Sequence, residues 1–316
     1  MPFNEKPIII FDTDMDTDCD DVGALAMLLE AHLSNKIELA GIITDSVCEY
    51  AAPFCEAMLR FYNVDLPIGA IYESDYKDTD FNVARFNNYR KHSVRFLTAN
   101  GYNHVLSKSV QKTDRDYPSA LSTYRTLLAK AKDKSVTVVC VGLLTGVAEM
   151  LTSAPDSISP LSGVELFSQK VSRVITMGAP NIPNCFNWGM DAYSAERFFA
   201  LCPTPVYISP EGTEIVTGAH LTKRLNSNHP LRKAYEIWLE KENCGRASWD
   251  LIAALYAIKP DSPYLKESDL GVCRYNVDEK CLYTDETKNA QYKLISTNCE
   301  TQIMVDALNE YMVGNF

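Results

Sequence analysis

The strongest constraint on the fold is a short run of apolar residues near the start of the chain, Ile8-Ile9-Ile10-Phe11. Because every residue in the run is apolar, rather than every second one, it is typical of a strand that is buried on both faces of a parallel sheet. Parallel strands require long crossover connections, which are usually helices. The run therefore predicts an α/β fold in which strands alternate with helices.

The periodicity of apolar residues supports this alternation along most of the chain. Helical patterns cover 22–31, 51–62, 118–131, 192–200, 233–241, 248–258 and 301–311, with another helix from about 144; strand patterns cover 37–44, 66–69, 136–141, 173–177, 206–209 and 271–277. No linker rich in Pro, Gly or Ser divides the chain. We predict a single α/β domain over residues 1–316, with a mainly parallel open sheet flanked by helices and a mostly helical final third.

One segment lacks a regular pattern. Residues 74–114 are polar and rich in Tyr and Asn, with only a weak helical pattern over 86–97. Long irregular segments in compact enzymes are often lids or binding loops, and a surface insertion explains the composition equally well. Both alternatives remain open from the sequence.

The overall charge argues against several classes of partner. The formal net charge is −11 and the sequence pI is about 5.0, so the electrostatic field repels nucleic acids and anionic membranes. The first six residues lack a signal-peptide pattern, and no apolar segment approaches the roughly 20 residues needed to cross a bilayer. Ten dispersed cysteines without a C-x-x-C pair predict free thiols. We expect a cytoplasmic protein that acts on a small molecule.

A dense group of carboxylates follows the first predicted strand. Six aspartates lie within ten residues: Asp12, Asp14, Asp16, Asp18, Asp20 and Asp21. In open α/β sheets, ligands bind beyond the carboxyl ends of the strands, which is where this group falls. Six like charges repel one another unless a cation lies among them, and carboxylate oxygens suit calcium or magnesium. Capping of the next helix would explain only two or three of the six.

Two other classes of metal-binding protein also place several aspartates close together in the sequence. An EF-hand loop requires Gly at its sixth position and Glu at its twelfth, where this chain has Thr17 and Gly23, so we exclude it. A magnesium-dependent phosphatase of the haloacid dehalogenase type would use Asp12 or Asp14 as nucleophile. It also needs a second acidic motif after a later strand, and none follows the strand over 173–177. The phosphatase remains the second hypothesis.

At this point the chain resembles the inosine-uridine nucleoside hydrolases, whose first strand is followed by the motif Asp-x-Asp-Pro-Gly-x-Asp-Asp. Five segments match that family in order: 12–21 its acidic motif, 40–44 its second strand, 138–145 its Gly-Pro-Leu-Thr-Asn turn, 174–178 its Met-Gly-Gly strand and 248–250 its His-Asp pair. The resemblance implies a calcium-dependent hydrolase that cleaves the N-glycosidic bond of a ribonucleoside, or of a related ribosyl compound, with metal-activated water. It also implies a role in purine or pyrimidine salvage and a homo-oligomer, either a dimer or a tetramer.

The resemblance assigns roles to individual residues. Asp14 is expected to bind the metal and to accept a proton from the attacking water. Asp21, Asp250 and the backbone carbonyl of Thr145 are expected to complete the protein part of the metal shell. Asp12 is expected to orient the turn.

The resemblance also predicts contacts to the substrate. Asp20 is expected to hydrogen-bond a ribose hydroxyl. Asn187 matches the ribose-binding Asn of the family and counts among both the catalytic and the substrate-binding candidates. Asn181 or Asn184 is a candidate contact to the 5′ end of the sugar. Trp249, Trp188 or Trp238 is a candidate to stack on the leaving group, with simple core packing as the alternative for each.

Several residues depart from the family pattern. Two extra residues separate Asp14 from the Asp20-Asp21 pair, so an ungapped alignment would assign the base to Asp16 instead. Trp249 stands where the inosine-uridine type has His, and an indole cannot donate a proton at a useful pKa. Because of such departures, a non-catalytic ribosyl-binding protein is the third hypothesis.

Overall fold

The structure is a computed structural model that describes residues 6–15, 18–46, 48–72, 101–285 and 289–316. The strands are β1 (Ile8–Thr13), β2 (Glu38–Thr44), β3 (Ile68–Ala70), β4 (Val136–Cys140), β5 (Val171–Met177), β6 (Val206–Ser209), β7 (Val216–Thr217), β8 (Arg246–Ala247), β9 (Leu265–Leu270), β10 (Cys273–Asn276), β11 (Cys281–Thr284) and β12 (Asn289–Thr297). The predicted apolar run is the start of β1, which lies inside the main sheet.

Twelve helices accompany these strands in the described part of the chain. They are α1 (Asp20–Leu33), α2 (Ala51–Phe61), α3 (Tyr102–Ser107), α4 (Ala120–Lys130), α5 (Thr145–Thr152), α6 (Gly163–Lys170), α7 (Phe186–Met190), α8 (Ala192–Leu201), α9 (Leu221–Arg224), α10 (Pro230–Leu239), α11 (Trp249–Ile258) and α12 (Thr301–Tyr311). No helix among the described residues is long and apolar enough to span a bilayer.

The main sheet has eight strands in the order β3-β2-β1-β4-β5-β6-β12-β9. All neighbouring strands run parallel except β12 and β9, which are antiparallel. Helices lie on both faces: α1 and α11 pack on one, and α4, α5, α6 and α8 on the other. The predicted α/β class, a mainly parallel open sheet flanked by helices, is therefore confirmed.

The final third of the chain contains more strand than the sequence pattern suggested. The strand predicted over 271–277 is present as β10. Between 265 and 297 the chain also forms β9, β11 and β12, and β9 and β12 extend the main sheet, so the prediction of a mostly helical region was wrong there. In β9, residues 266–269 are exposed, because this strand forms an edge of the sheet. Such a strand has no continuous apolar run by which the sequence could predict it. The weak helix predicted over 86–97 lies outside the described residues.

Two helices are buried on almost every side. In α11, residues 250–258 are all buried, and in α1 the same holds for 20–29. Helices that are apolar all round belong in the interior. Since α1 and α11 pack against each other, the charged residues at their amino ends come together inside the protein.

The strand order also fixes where a ligand can bind. From β1 the chain continues to β2 on one side, whereas from β4 it continues to β5 on the other side. A crevice opens where neighbouring strands lead to opposite faces, beyond their carboxyl ends. The residues that follow β1 and β4 border this crevice, and they include the acidic group.

Candidate active site

Three buried carboxylates from two distant parts of the chain meet at this crevice. Asp20 and Asp21 begin α1, and Asp250 lies in the first turn of α11. One side-chain oxygen from each lies within 4.8 Å of the others, and none of the three residues is more than 3 % exposed. Asp20 and Asp250 are 230 residues apart in the sequence, so only the folded chain brings them together.

Backbone groups hold this cluster in place. Asp20 Oδ2 accepts hydrogen bonds from the backbone N–H groups of Trp249 (3.1 Å) and Asp250 (3.2 Å). A carboxylate in this position satisfies free N–H groups at a helix amino end. The hydroxyl of Thr13, at the end of β1, donates to the carboxylate of Asp21. Both contacts orient the carboxylates before any ligand binds.

The electrostatics of the cluster favour a bound cation. Burial, and then repulsion from neighbouring carboxylates, raises the pKa of Asp20, of Asp21 and of Asp250 well above the ordinary value. A divalent cation removes this cost. Two oxygens on opposite sides of a calcium ion, each about 2.4 Å from it, lie about 4.8 Å apart, so the three oxygens fit around one such ion.

A cavity of about 480 Å³ opens directly over the cluster. Asp14, which follows β1 and is 2 % exposed, lines this cavity together with the three clustered carboxylates. The structure thus brings Asp14, Asp20, Asp21 and Asp250 to one site. Asp16, the alternative to Asp14 as the base, lies outside the described residues.

The turn that carries Asp14 packs tightly against the turn after β4. Asp45 Oδ2 accepts a hydrogen bond from the backbone N–H of Leu143 (2.9 Å). A Cβ atom on Gly142 would lie 2.3 Å from Asp45 Oδ1 and 2.6 Å from the backbone N of Asp14, so no side chain fits there. The hydroxyl of Tyr124 donates to Asp12, whose pKa is raised by burial to about 7. These contacts are compatible with the expected orienting role of Asp12.

The other predicted residues have different surroundings. Asn187 lines the cavity and donates through Nδ2 to the carbonyl of Val141. Asn181 does not line it: its Nδ2 donates to Thr284 Oγ1 (2.9 Å), and its Oδ1 accepts from the backbone N–H of the same residue (3.1 Å). Thr145 begins α5, and its hydroxyl donates to Asp191 Oδ2 (2.7 Å).

Trp249 forms part of the cavity wall. Its Nε1 donates to Thr213 Oγ1 (3.2 Å), and a Cβ on Gly212 would lie 2.5 Å from the backbone of Trp249. The positive φ of Gly212, +156°, also suits glycine. Met177, Ile182 and Phe186 add further apolar surface to the same cavity. The cavity therefore has an acidic base and a largely apolar wall.

Two further lining residues have no individual role predicted from the sequence: Asp18 was named only as a member of the acidic group, and Arg246 was not identified. Arg246 and Asp18 form a bidentate ion pair at the cavity, with Arg246 Nε 2.8 Å and Nη2 2.6 Å from Asp18 Oδ2. The guanidinium carbon of Arg246 lies 5.1 Å from the centre of the Trp249 ring. No motif includes Arg246. The only sequence signal is its position four residues before Asp250.

Comparison with known proteins tests the predicted family. The family model for inosine-uridine preferring nucleoside hydrolases matches residues 9–310, which is nearly the whole chain. The chain belongs to this family. It is therefore a nucleoside hydrolase-like glycosyl hydrolase, as the resemblance predicted. Family membership favours this class over the phosphatase and the non-catalytic alternatives. No curated protein matches the chain.

Solved structures share the nucleoside hydrolase fold at low sequence identity. The inosine-uridine preferring nucleoside hydrolase from Bacillus anthracis matches with a TM-score of 0.64 and 16 % identity, over 98 % of this chain and 99 % of that protein. An inosine-guanosine nucleoside hydrolase gives 0.66 and 17 %, over 97 % and 99 %. The type III effector protein XopQ, complexed with adenosine diphosphate ribose, gives 0.69 and 13 %, over 99 % and 94 %.

Proposed function

We propose that this nucleoside hydrolase cleaves the N-glycosidic bond of ribonucleosides, or of related ribosyl compounds, with the help of a calcium ion. The observation that carries the proposal is the convergence of buried carboxylates from α1 and α11 at the base of a cavity that also contains Asp14. A neutral polyhydroxyl compound suits this cavity, since the net charge of −11 disfavours polyanions.

The residues that would hold the ion are Asp14, Asp21, Asp250 and the backbone carbonyl of Thr145. Asp20 belongs to the same oxygen cluster, and one of its oxygens is already used by the amino end of α11. When bound, a calcium ion in such a site coordinates sugar hydroxyls and lowers the pKa of a coordinated water. Magnesium also accepts carboxylate oxygens, so the choice of calcium is part of the proposal.

Asp14 acts as the general base in this proposal. It lies at the same cavity surface as the clustered carboxylates, where it can accept a proton from the attacking water. Such proton removal contributes about 10²–10⁴-fold to the rate. Direct attack by water inverts the configuration at the anomeric carbon. The neighbouring carboxylates stabilise the positive charge that develops on the sugar ring.

Asp20 and Asn187 orient the ribose. Asn187 Nδ2 is occupied by the carbonyl of Val141, so its Oδ1 is the atom that remains to accept a hydrogen bond from a sugar hydroxyl. For the 5′ end of the sugar, Asn184 is the better candidate because it lines the cavity, whereas the side chain of Asn181 is bonded to Thr284 and lies outside the cavity lining. The aglycone would lie against Trp249, Met177 and Phe186.

The free cysteines and the family resemblance also support a proposal for the cellular setting. All ten cysteines are free, which supports a reducing cytoplasm. A nucleoside hydrolase there would release bases for purine or pyrimidine salvage. We also propose a homo-oligomer, a dimer or a tetramer, from the family resemblance. We expect no nucleic-acid or membrane partner.

The proposal is tested by following purine and pyrimidine ribonucleosides with chromatography in the presence of calcium. We expect base and ribose in equal amounts, loss of the reaction with a chelator, and recovery when calcium is added back. Phosphate release from sugar phosphates would instead support a phosphatase. Saturable ribose binding without turnover would support a ribosyl-binding protein.

A further inference from the structure

The proposed reaction leaves an electron pair on the departing base, and some group must stabilise it. Trp249 stands where the inosine-uridine type has His, and its indole N–H already donates to Thr213. No histidine lines the cavity among the described residues. The carboxylates at its base lie on the side proposed for the metal and the sugar. Among the described residues, a group other than these must therefore meet the leaving group.

Arg246 has the chemistry for this role. Among the described residues that line the cavity, it is the only one with a cationic side chain, which is 36 % exposed. Its Nε and Nη2 are engaged by Asp18, whereas its Nη1 has no hydrogen-bond partner among the described residues. The edge of the guanidinium formed by Nε and Nη2 is thus bound to protein, and within the described part of the chain the two N–H bonds of Nη1 remain for a ligand.

The guanidinium is held in a fixed orientation beside the apolar wall. Asp18 binds it in a bidentate geometry, and the backbone carbonyl of Asp18 accepts from the hydroxyl of the buried Tyr102 (2.8 Å). On the other side, Arg246 lies 5.1 Å from the ring centre of Trp249. A donor that is fixed before the reaction stabilises developing charge more effectively than a mobile one.

We propose that Arg246 contacts the leaving group and stabilises the negative charge that develops on it. This inference rests on the proposed hydrolase function. The bond between the anomeric carbon and the base nitrogen breaks, and its electron pair stays on the base. A bond forms from the water oxygen to that carbon, Asp14 takes a water proton, and the base is then protonated by solvent. Arg246 stays protonated throughout and donates only a hydrogen bond.

A purely positioning role makes a different prediction. The Arg246–Asp18 pair joins the loop before α1 to the segment before α11, so its loss could disturb the carboxylate cluster. Disturbance of the cluster slows the reaction of every substrate. Loss of leaving-group stabilisation slows only the substrates whose leaving group is poor.

The test compares inosine with 4-nitrophenyl β-D-ribofuranoside, whose leaving group departs as a stable anion, on calcium-loaded enzyme. We expect Arg246→Gln to lower kcat for inosine by about 10²-fold, and to lower it for the nitrophenyl riboside by less than about tenfold. Arg246→Lys keeps the charge and should retain part of the inosine rate. Arg224→Gln is the matched control, because Arg224 forms a similar bidentate pair with Glu310 on the surface.

The possible outcomes distinguish failure of the leaving-group role of Arg246 from failure of the proposed hydrolase function. Equal losses on both substrates in Arg246→Gln, or no loss on inosine, would overturn the leaving-group role. Asp18→Asn provides a second readout: it frees the guanidinium but keeps its charge, so we expect it to be milder than Arg246→Gln on inosine. If Arg246→Gln does not fold in a thermal unfolding assay, Arg246→Lys and Asp18→Asn carry the comparison. A wild-type enzyme that cleaves neither compound, and no purine or pyrimidine ribonucleoside either, would instead refute the proposed hydrolase.

Discussion

Two arginine–aspartate pairs in this protein use the same chemistry to different ends. Arg125 is fully buried, and Asp156 binds it through Nε (2.8 Å) and Nη2 (2.9 Å). Nη1 donates to the Ser153 hydroxyl, and Nη2 also donates to the carbonyls of Ser159 and Leu161. Arg246 also has an aspartate partner in a bidentate geometry, but its Nη1 has no partner among the described residues, and it lines a cavity.

The difference separates a structural arginine from one that is available to a ligand. Around Arg125, each guanidinium nitrogen has a protein partner, so the residue closes the loop over 153–161 and has no capacity left for another molecule. Around Arg246, the described residues supply hydrogen-bond partners for Nε and Nη2 but not for Nη1. A charged group that the fold orients but does not satisfy is a candidate for substrate binding.

The largest effect that would sharpen this comparison is expected at Asp14. Asp14 lines the cavity, as Arg246 does. Asp14→Asn should lower kcat by about 10²–10⁴-fold, because the general base is lost. The free energy of unfolding measured in urea should not fall, since one of several mutually repelling carboxylates is removed. A fully active Asp14→Asn enzyme would refute the assignment; Asp16→Asn, made in parallel, would then test the alternative.

Substitution of Arg125, the structural arginine, should lower stability and leave activity unchanged. Arg125→Met removes a buried guanidinium and leaves the Ser159 and Leu161 carbonyls without this donor. Asp156 is 39 % exposed and stays solvated, so the cost comes from the two carbonyls that lose their donor, and we expect the free energy of unfolding to fall by about 3 kcal/mol. The kcat per folded molecule should be unchanged. A loss of activity without a loss of stability would break the distinction between the two arginines.

Calcium should stabilise the folded protein only when the cavity carboxylates are intact. A ligand that binds only the folded state at about 100 times its Kd raises the free energy of unfolding by about 2.7 kcal/mol. We expect this increase in the wild-type protein and little of it in Asp250→Asn. Asp156→Asn is the control, because it removes a carboxylate that lies in the Arg125 pair and should keep the full response to calcium. An equal response in Asp250→Asn would contradict the proposed ligand set.

The smallest expected effect is a change in the pH dependence of stability at the half-buried His229, which lies outside the cavity. His229 packs on Phe61 at 4.5 Å between ring centres, and its buried Nδ1 has no hydrogen-bond partner among the described residues. Burial lowers its pKa from 6.5 to about 4. The unfolded chain therefore takes up the proton first as pH falls, so the contribution of neutral His229 is complete above pH 6.5 and is lost towards pH 4.

We expect His229→Phe to flatten this part of the stability profile, followed by urea unfolding at several pH values, without a change in kcat at neutral pH. An incompletely paired group that lies outside the cavity would then affect stability only. A matching change in kcat at neutral pH would show that incomplete pairing alone does not distinguish the two kinds of site.

Much of the fold was readable from local patterns, because the buried strands and helices have distinct periodicities. The apolar run at Ile8 predicted a buried parallel strand, and β6 and α12 begin and end where the sequence patterns do. In contrast, β9 was not recognised, since its exposed edge position removes the apolar pattern. The helix α7 is only five residues long, too short for a periodicity to develop.

The site was predictable only where residues are adjacent in the sequence or match a family motif. Asp14, Asp20 and Asp21 follow one strand, and Asp250 was found through the resemblance. Arg246 was missed, because its importance comes from two segments that meet only in the fold. Asn181 was placed at the sugar, but its amide is bonded to Thr284, which a local sequence pattern cannot reveal.

The most direct test of the account is a crystal structure of the protein grown with calcium and ribose. We predict one calcium ion with carboxylate oxygens of Asp21 and Asp250 at about 2.3–2.6 Å, and ribose hydroxyls completing its shell beside Asp14. A carboxylate cluster without an ion in calcium-rich crystals, or ribose bound elsewhere, would contradict the account.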